Sequence, residues 1–298
     1  MPPGRSDWQV FAQAHDKLGE SILWRPEENA LYWIDFYGPT VRRQKWGSGL
    51  VESWHLKIGE TIGSLVFADK GQLLLAIDHG LHVFDPATGS TRFFADPKSG
   101  QMNLVYNDGK VDRAGRYWVG TYDVSERHPN GIFYLLGEEG RATIADRGFV
   151  ICNGPAFSPD NGTLYFSDTI GRRILSYEIG PGGLLSNRRI FFTFSIDDGM
   201  PDGLAVDSAG NVWCALYGGG KVVCLDQRGT LRKSLYLPAA LVTSVCFGGP
   251  DLKILFATTG RRTDWTTVLD PDECGGAVFM RPVDVPGLLE PMLALKCL

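Results

Sequence analysis

The sequence has no long hydrophobic run and no excess of positive charge. In its 298 residues no window approaches the ~20 apolar residues of a membrane helix, and the stretch from Met1 to Trp8 lacks the apolar core of a secretory peptide. We therefore expect a cytoplasmic chain that does not associate with membranes. Lys and Arg number 29 against 34 Asp and Glu, a net charge of −5, which argues against nucleic acid as a partner.

Several motifs of catalysis and metal binding are also missing. None of the six cysteines stands in a C-x-x-C pair, which argues against a thiolate zinc site. There is no G-x-S-x-G nucleophile elbow, so a serine hydrolase of that type has no support, and no phosphate-binding P-loop is present.

Glycine is abundant. The 37 glycines and 17 prolines predict many tight turns and argue against a helical bundle. Along the chain, a short apolar strand, a polar turn ending in Gly or Asn and a second apolar strand recur. When the second residue of each second strand is taken as a marker, the spacings are 42, 44, 47, 48 and 42 residues. The markers are Leu31, Leu73, Tyr117, Leu164, Val212 and Ile254.

A period in the forties built from short strands is typical of a propeller blade. Turns such as Val111–Gly115 and Val206–Gly210 carry an Asp that caps the turn and a Gly that supplies positive φ. We predict one domain over residues 1–298, an all-β, six-bladed β-propeller. An open ring would expose edge strands. The N-terminal strand near Trp8–Ala14 is therefore expected to close the last blade by pairing near Ala277–Arg281.

The repeat also places polar residues at one level of the central channel. Ten or eleven residues before each marker, at the start of the innermost strand, four of the six blades carry a carboxylate or an amide. Each of them taken alone is as consistent with an ordinary turn before Gly. Their common register favours a shared site, and two carboxylates with two amides suit a hard divalent cation. The six positions are Glu20, Gly63 (or Ile62), Asn107, Asn153, Asp202 and Thr243.

Four motifs together resemble the gluconolactonase/regucalcin family, also called the senescence marker protein family. The resemblance covers nearly the whole chain, and it implies a six-bladed propeller with one divalent cation at the channel mouth. It also implies that Glu20, Asn153 and Asp202 are the metal ligands and that Asn107 contacts substrate beside the metal. The motifs are Leu18-Gly19-Glu20, Asn107-Asp108-Gly109-Lys110, Asn153-Gly154-Pro155 and Pro201-Asp202-Gly203.

The sequence departs from the family pattern at two substrate-contacting positions. Many sugar lactonases carry an Arg where this chain has Val105, and a Glu common in the following loop is replaced by Ser125. Val offers only an apolar surface to a substrate. We therefore expect a lactone with fewer hydroxyls on that side, or one held by Arg127 and His128 of the nearby loop, for which a solvated surface role is the alternative.

The resemblance predicts an enzyme that opens a small-molecule lactone, expected to be a sugar lactone, to the hydroxy acid. One divalent cation (Ca²⁺, Zn²⁺, Mg²⁺ or Mn²⁺) would polarise the carbonyl. Either metal coordination or the carboxylate of Asp202 would activate the attacking water. The alternative is a calcium-binding, regulatory or interaction propeller without turnover. The sequence does not indicate the oligomeric state.

Overall fold

In the computed structural model, which describes residues 7–137, 140–261 and 274–295, the chain forms a six-bladed β-propeller. Each blade is one four-stranded antiparallel sheet. The short helical segments of the described residues are 3₁₀ turns at Pro26–Glu28, Asp69–Gly71, Pro181–Gly183 and Ile196–Asp198. Within these ranges no helix has the length and apolar character needed to cross a membrane.

The blades follow one another along the chain, and the first strand of each is the innermost. The strands are, for blade 1, β2 (Gly19–Arg25), β3 (Ala30–Asp35), β4 (Thr40–Lys45) and β5 (Val51–His55); for blade 2, β6 (Ile62–Phe67), β7 (Leu73–Ile77), β8 (Gly80–Asp85) and β9 (Ser90–Ala95); for blade 3, β10 (Leu104–Val111), β11 (Tyr117–Asp123), β12 (Gly131–Leu136) and β13 (Ala142–Phe149); for blade 4, β14 (Cys152–Phe157), β15 (Thr163–Asp168), β16 (Arg173–Ile179) and β17 (Leu185–Thr193); for blade 5, β18 (Met200–Val206), β19 (Val212–Tyr217), β20 (Lys221–Leu225) and β21 (Leu231–Tyr236); and for blade 6, β22 (Val242–Gly248), β23 (Ile254–Thr259), β24 (Val278–Pro282) and β1 (Gln9–Ala12).

The N-terminal strand closes the ring, as predicted. β1 pairs with β24 in antiparallel register, with Gln9 opposite Met280 and Val10 opposite Phe279. The last blade therefore combines three strands from the C-terminal part of the chain with one N-terminal strand, and it has four strands like the other five.

The burial of each strand follows its place in the blade. The second strands are packed on both faces by neighbouring blades, and β3 and β7 are buried at every residue. The outermost strands face solvent, and β17 is exposed over most of its length. Strands buried on both faces need continuous apolar sequence, which explains why the second strands gave the clearest repeat.

The turn after the inner strand is capped by Asp, as the sequence predicts. The Asp112 carboxylate accepts hydrogen bonds from the backbone N–H of Ala114 and of Arg116, and from the indole of Trp118. Asp207 repeats this arrangement with the indole of Trp213. One carboxylate thus fixes both the turn and the largest core side chain of its blade.

The C-terminal strap, residues 283–295, crosses the end of the channel at which the inner strands finish. Gly287 N donates to Leu252 O in blade 6, and Arg113 Nη1 in blade 3 donates to Leu289 O. Leu293 N donates to Phe67 O in blade 2. At the opposite end of the channel, where the inner strands begin, the described residues leave a cavity, and we call this the open end.

Candidate functional site

The polar residues at the start of the inner strands converge because every inner strand carries a β-bulge there. A bulge places two residues opposite one and re-aims the side chains around it. The register with the second strand shifts between Glu20 and Leu23, Ile62 and Ser64, Tyr106 and Gly109, Asn153 and Ala156, Pro201 and Leu204, and Val242 and Val245.

Four of the six positions line one cavity at the open end of the channel, namely Glu20, Asn107, Asn153 and Asp202. The two remaining blades contribute no free ligand group at this level. A Cβ on Gly63 would lie 2.3 Å from Tyr106 O, so that blade has room for no side chain. Thr243 bonds through its hydroxyl to Gly19 O and to Thr258.

The three predicted metal ligands form the floor of the cavity. Glu20, Asn153 and Asp202 are all buried, at 8%, 7% and 4% exposure. One oxygen of Glu20 accepts a hydrogen bond from Ser21 N. Asp202 Oδ1 is buried without any hydrogen-bond partner. A buried carboxylate oxygen with no donor is costly, and a cation at this point would satisfy it.

The orientation of the Asn153 amide is fixed by its neighbours. Thr169 Oγ1 uses its one hydrogen on Pro201 O, at 2.9 Å, so it must accept from Asn153 Nδ2 at 3.1 Å. Asn153 Oδ1 is thereby turned to the other side, where Asn107 Nδ2 lies 2.7 Å away. Asn107 Nδ2 also donates to Cys152 O. The amide oxygen of Asn153 is therefore preset as an acceptor.

A third carboxylate, Asp108, lies beside the floor and was not singled out by sequence reasoning. It is 6% exposed and accepts hydrogen bonds from Gly109 N and Gly154 N. Burial raises its pKa to about 6, although Lys110 opposes the shift. Gly154 has φ +40, and a Cβ there would lie 2.4 Å from Asp202 O. Asp108 thus links blade 3 to blade 4 through the hydrogen bond from Gly154 N, beside the backbone of Asp202 in blade 5.

The floor is strongly acidic. Burial, and then the charge of Asp108, raise the pKa of Glu20 well above its ordinary value. Burial, and then the charges of Glu20 and Asp108, do the same for Asp202. Clustered buried carboxylates hold protons unless a cation neutralises them.

The donor set fits a divalent cation. Two carboxylates and one amide oxygen are hard ligands of the kind that Ca²⁺ and Mg²⁺ prefer, and the orphaned Asp202 Oδ1 supplies an unmet acceptor. The set contains only two acidic ligands, and within the described residues no group of three His, Cys, Asp or Glu side chains could hold a metal by itself.

Above the floor, the cavity wall is largely apolar. The whole space is about 600 Å³ when counted out into open solvent. Tyr37, Tyr122 and Tyr217 stand around the rim together with Glu126, and Tyr37 and Tyr122 share a side-chain hydrogen bond. The remaining lining residues are Leu18, Phe36, Ile151, Thr169 and Met200.

The loop after Asp123 presents Glu126 to the cavity. Ser125, at the position expected for the family Glu, is exposed, and both its backbone N and its hydroxyl donate to Asp123 Oδ1. Glu126 N donates to Asp123 O, and Glu126 has φ +55. The turn thereby places a carboxylate at the rim one residue later than the sequence register indicated.

The other predicted substrate contacts lie outside the cavity lining. Arg127 and His128 are exposed on the same loop and are absent from the residues that face the cavity. Val105 is half-buried and packs with Phe36, Tyr122 and Ile151 behind the wall. Val105 therefore shapes the cavity indirectly, as part of its apolar support.

The chain was compared with known proteins. Residues 18–261 match the model of the SMP-30/Gluconolactonase/LRE-like region. The 6-deoxy-6-sulfogluconolactonase of Pseudomonas putida is 32% identical over 93% of this chain and 95% of its own. Pentonolactonase XacC of Haloferax volcanii is 33% identical over 91% and 92%.

A solved structure agrees with these relatives. The calcium-binding protein regucalcin of Agrobacterium tumefaciens superposes with a TM-score of 0.87 at 26% identity, over 95% of this chain and 96% of that one. Fold, family model and relatives coincide, and the chain belongs to the SMP-30/gluconolactonase/LRE family.

Proposed function

We propose that this protein is a metal-dependent lactonase that hydrolyses a neutral lactone to the hydroxy acid. The observation that carries the proposal is Asp202 Oδ1, a buried and unpartnered carboxylate oxygen beside Glu20 and Asn153 at the floor of an open cavity. The names of the relatives, a sulfogluconolactonase and a pentonolactonase, support lactone hydrolysis as the reaction class.

Glu20, Asn153 and Asp202 would hold the cation, which we assign as Ca²⁺, Mg²⁺, Mn²⁺ or Zn²⁺ according to supply. When bound, it would supply Lewis-acid polarisation of the lactone carbonyl. Glu20 and Asp202 bring two negative charges to balance it. The oxygen of Asn153, preset by Thr169, adds a neutral ligand without further repulsion.

Asp202 is assigned as the base. A carboxylate has about four acceptor sites, so Asp202 can ligate and still take a proton. It lines the cavity, and its Oδ1 accepts no hydrogen bond from the described residues, which leaves acceptor capacity for a water. As Asp202 accepts a proton from water, the water oxygen bonds to the carbonyl carbon. The ring C–O bond then breaks, and the ring oxygen takes up the proton to give the hydroxy acid.

Asn107 would orient the substrate through its amide oxygen, because both of its amide hydrogens are already donated to Cys152 O and Asn153 Oδ1. Glu126 at the rim offers an acceptor for a polar group of the substrate. No Lys, Arg or His lies among the described lining residues. We therefore propose a neutral lactone for this chain, in contrast to the sulfonated one named for the Pseudomonas relative.

The test is acid release from a panel of lactones by purified protein, with EDTA and after reloading with each of the four metals. We expect hydrolysis that EDTA abolishes and at least one metal restores. A protein that binds the metal but releases no acid from any lactone would favour the calcium-binding role for which the Agrobacterium regucalcin is named.

A further inference from the structure

The lining of the cavity includes five apolar or aromatic side chains, which we call the apolar wall: Leu18, Phe36, Tyr122, Ile151 and Met200. Phe36, Tyr122 and Ile151 belong to one buried cluster, in which the rings of Phe36 and Tyr122 are 6.2 Å apart. Val105 and Val150 pack behind it. The wall is therefore preformed, and it presents hydrocarbon to whatever enters above the floor.

Two of the polar groups near this wall have no hydrogen left to donate. Asn107 has donated both amide hydrogens, and Thr169 has donated its only one. Tyr37 and Tyr122 are bonded to each other. A ligand hydroxyl can donate to Asn107 Oδ1 or to Glu126, but Asn107 and Thr169 donate nothing in return, so a ligand with many hydroxyls loses more hydrogen bonds to water than it regains here. A polyhydroxylated sugar ring is thus a poor match for this side of the cavity.

Charge restricts the ligand further. The ionisable side chains among the described lining residues are the acids Glu20, Glu126 and Asp202 and the three tyrosines. A phosphorylated or sulfonated ligand would meet like charge at the rim and no cation among these residues to offset it.

We propose, resting on the lactonase function above, that the substrate is a neutral lactone with an alkyl or aryl substituent. The substituent lies against the apolar wall while the ring carbonyl faces Glu20, Asn153 and Asp202. Substrate selection then depends on contact between hydrocarbon surfaces, and each methylene buried against the wall raises kcat/KM about fourfold.

The first experiment measures kcat/KM for δ-valerolactone, δ-hexalactone, δ-octalactone and δ-decalactone, for the aryl lactone dihydrocoumarin and for glucono-1,5-lactone. We expect kcat/KM to rise over the first steps of the alkyl series and to be at least about tenfold lower for glucono-1,5-lactone than for the best alkyl lactone. A preference for glucono-1,5-lactone would overturn the substrate class and leave the lactonase proposal intact. Failure with every lactone would overturn the lactonase proposal itself.

The second experiment locates the preference at the wall. Met200 is half-buried and lines the cavity, and Met292, at the other end of the channel, is 51% exposed. Met200→Gln keeps the length of the side chain but makes its end polar. It should lower the ratio of kcat/KM for δ-decalactone to that for δ-valerolactone by about threefold to tenfold. Met292→Gln should leave the ratio unchanged. Equal ratios in both variants would show that the substituent does not contact this wall.

Discussion

Both ends of the channel hold buried charged side chains, which are paired at the closed end and unpaired at the open end among the described residues. At the closed end, Lys110 Nζ donates to Leu204 O at 2.9 Å and lies 3.5 Å from Glu290 Oε1 of the C-terminal strap. At the open end, Glu20 and Asp202 lie together with no cationic side chain bonded to either among the described residues, and Asp202 Oδ1 has no partner.

This difference distinguishes charges that stabilise the fold from charges that folding alone does not explain. A buried charge is retained either because it is paired or because a ligand completes it. The closed end is paired within the chain, so its charges serve to seat the strap. The acids of the open end are unpaired among the described residues, so folding alone does not explain them, and this is where we place the proposed cation.

The largest effect is expected from Asp202→Asn at the open end. The substitution keeps the size of the side chain and removes the charge of the proposed base. Turnover should fall by about two to four orders of magnitude, while the Tm of the metal-free protein should stay the same or rise, because a repelled buried charge is lost. Lactone hydrolysis and thermal melting of the same preparation test this. An Asp202→Asn protein of normal activity would remove Asp202 from the mechanism.

Glu20→Gln tests the other acid of the open end. Removing one of two ligand charges should weaken divalent metal binding by more than about tenfold, at least the range seen when outer-shell partners of metal ligands are removed. Elemental analysis after dialysis and calorimetric titration with Ca²⁺ measure this, with Glu60→Gln on the surface as the matched control. Equal metal content in both variants would contradict the site.

Val105→Arg tests whether the apolar residues around the floor of the open end determine which lactone is preferred. Val105 packs behind the wall, so the long Arg side chain has to extend past Tyr122 or Ile151 to reach a substrate. A charged hydrogen bond made there contributes about 1.5–3 kcal/mol, and the ratio of kcat/KM for glucono-1,5-lactone to that for δ-hexalactone should then rise about tenfold or more. The same ratio measured for Val10→Arg, on the exposed edge strand, is the control. A ratio that does not move would mean that position 105 cannot reach the substrate.

The unpaired acids also predict how stability depends on pH. The pKa of Asp108 is raised to about 6, and those of Glu20 and Asp202 are raised as well, so between pH 5 and 7 the folded state holds protons that the unfolded state has lost. Stability of the metal-free protein should therefore fall as pH rises through this window. His82, whose pKa is lowered by burial, opposes the trend with a single group.

Melting curves at pH 5, 6 and 7, with EDTA and with Ca²⁺, measure the effect. We expect a Tm decrease of a few degrees in EDTA and a smaller one with Ca²⁺, because the bound cation stabilises the ionised acids. Asp108→Asn should reduce the slope of the EDTA curve, and Asp16, whose pKa burial also raises to about 6, should keep part of it. A Tm that rises with pH in EDTA would show that these acids are not repelled.

The smallest effect is expected at the closed end. Glu290→Gln removes the charge facing the buried Lys110, but Lys110 Nζ keeps its bond to Leu204 O, so we expect a Tm decrease of a few degrees. Metal affinity and kcat/KM should stay within twofold of the parent. A large loss of activity would show that the two ends of the channel are coupled.

The features that repeat along the chain were predictable, because a periodic pattern can be checked against itself. The six blades, the pairing of β1 with β24 and the convergence of Glu20, Asn107, Asn153 and Asp202 all follow from one spacing. The Asp caps of the turns at Asp112 and Asp207 belong to the same pattern.

The features that occur once were not predictable. In a regular strand Asp108 would face away from its neighbour Asn107, and only the bulge between Tyr106 and Gly109 brings both to the site. Glu126 lines the cavity because the turn after Asp123 tightens, which depends on hydrogen bonds from Ser125. The C-terminal strap has no counterpart in any blade, so no comparison within the sequence could reveal its path.

The repeated bulge also gives the ring a fixed number of positions at one level of the channel, one for each blade, and the proposed metal ligands occupy three of them. Four of these positions carry polar side chains that line the cavity. At Gly63 the backbone of Tyr106 leaves no room for a side chain. In blade 6 the position is occupied by Thr243, whose short side chain donates a hydrogen bond to Gly19 O. A further ligand could therefore be introduced by substituting Thr243 in blade 6, but not by substituting Gly63 in blade 2. Position 243 is thus where a substitution meant to change the metal preference would start.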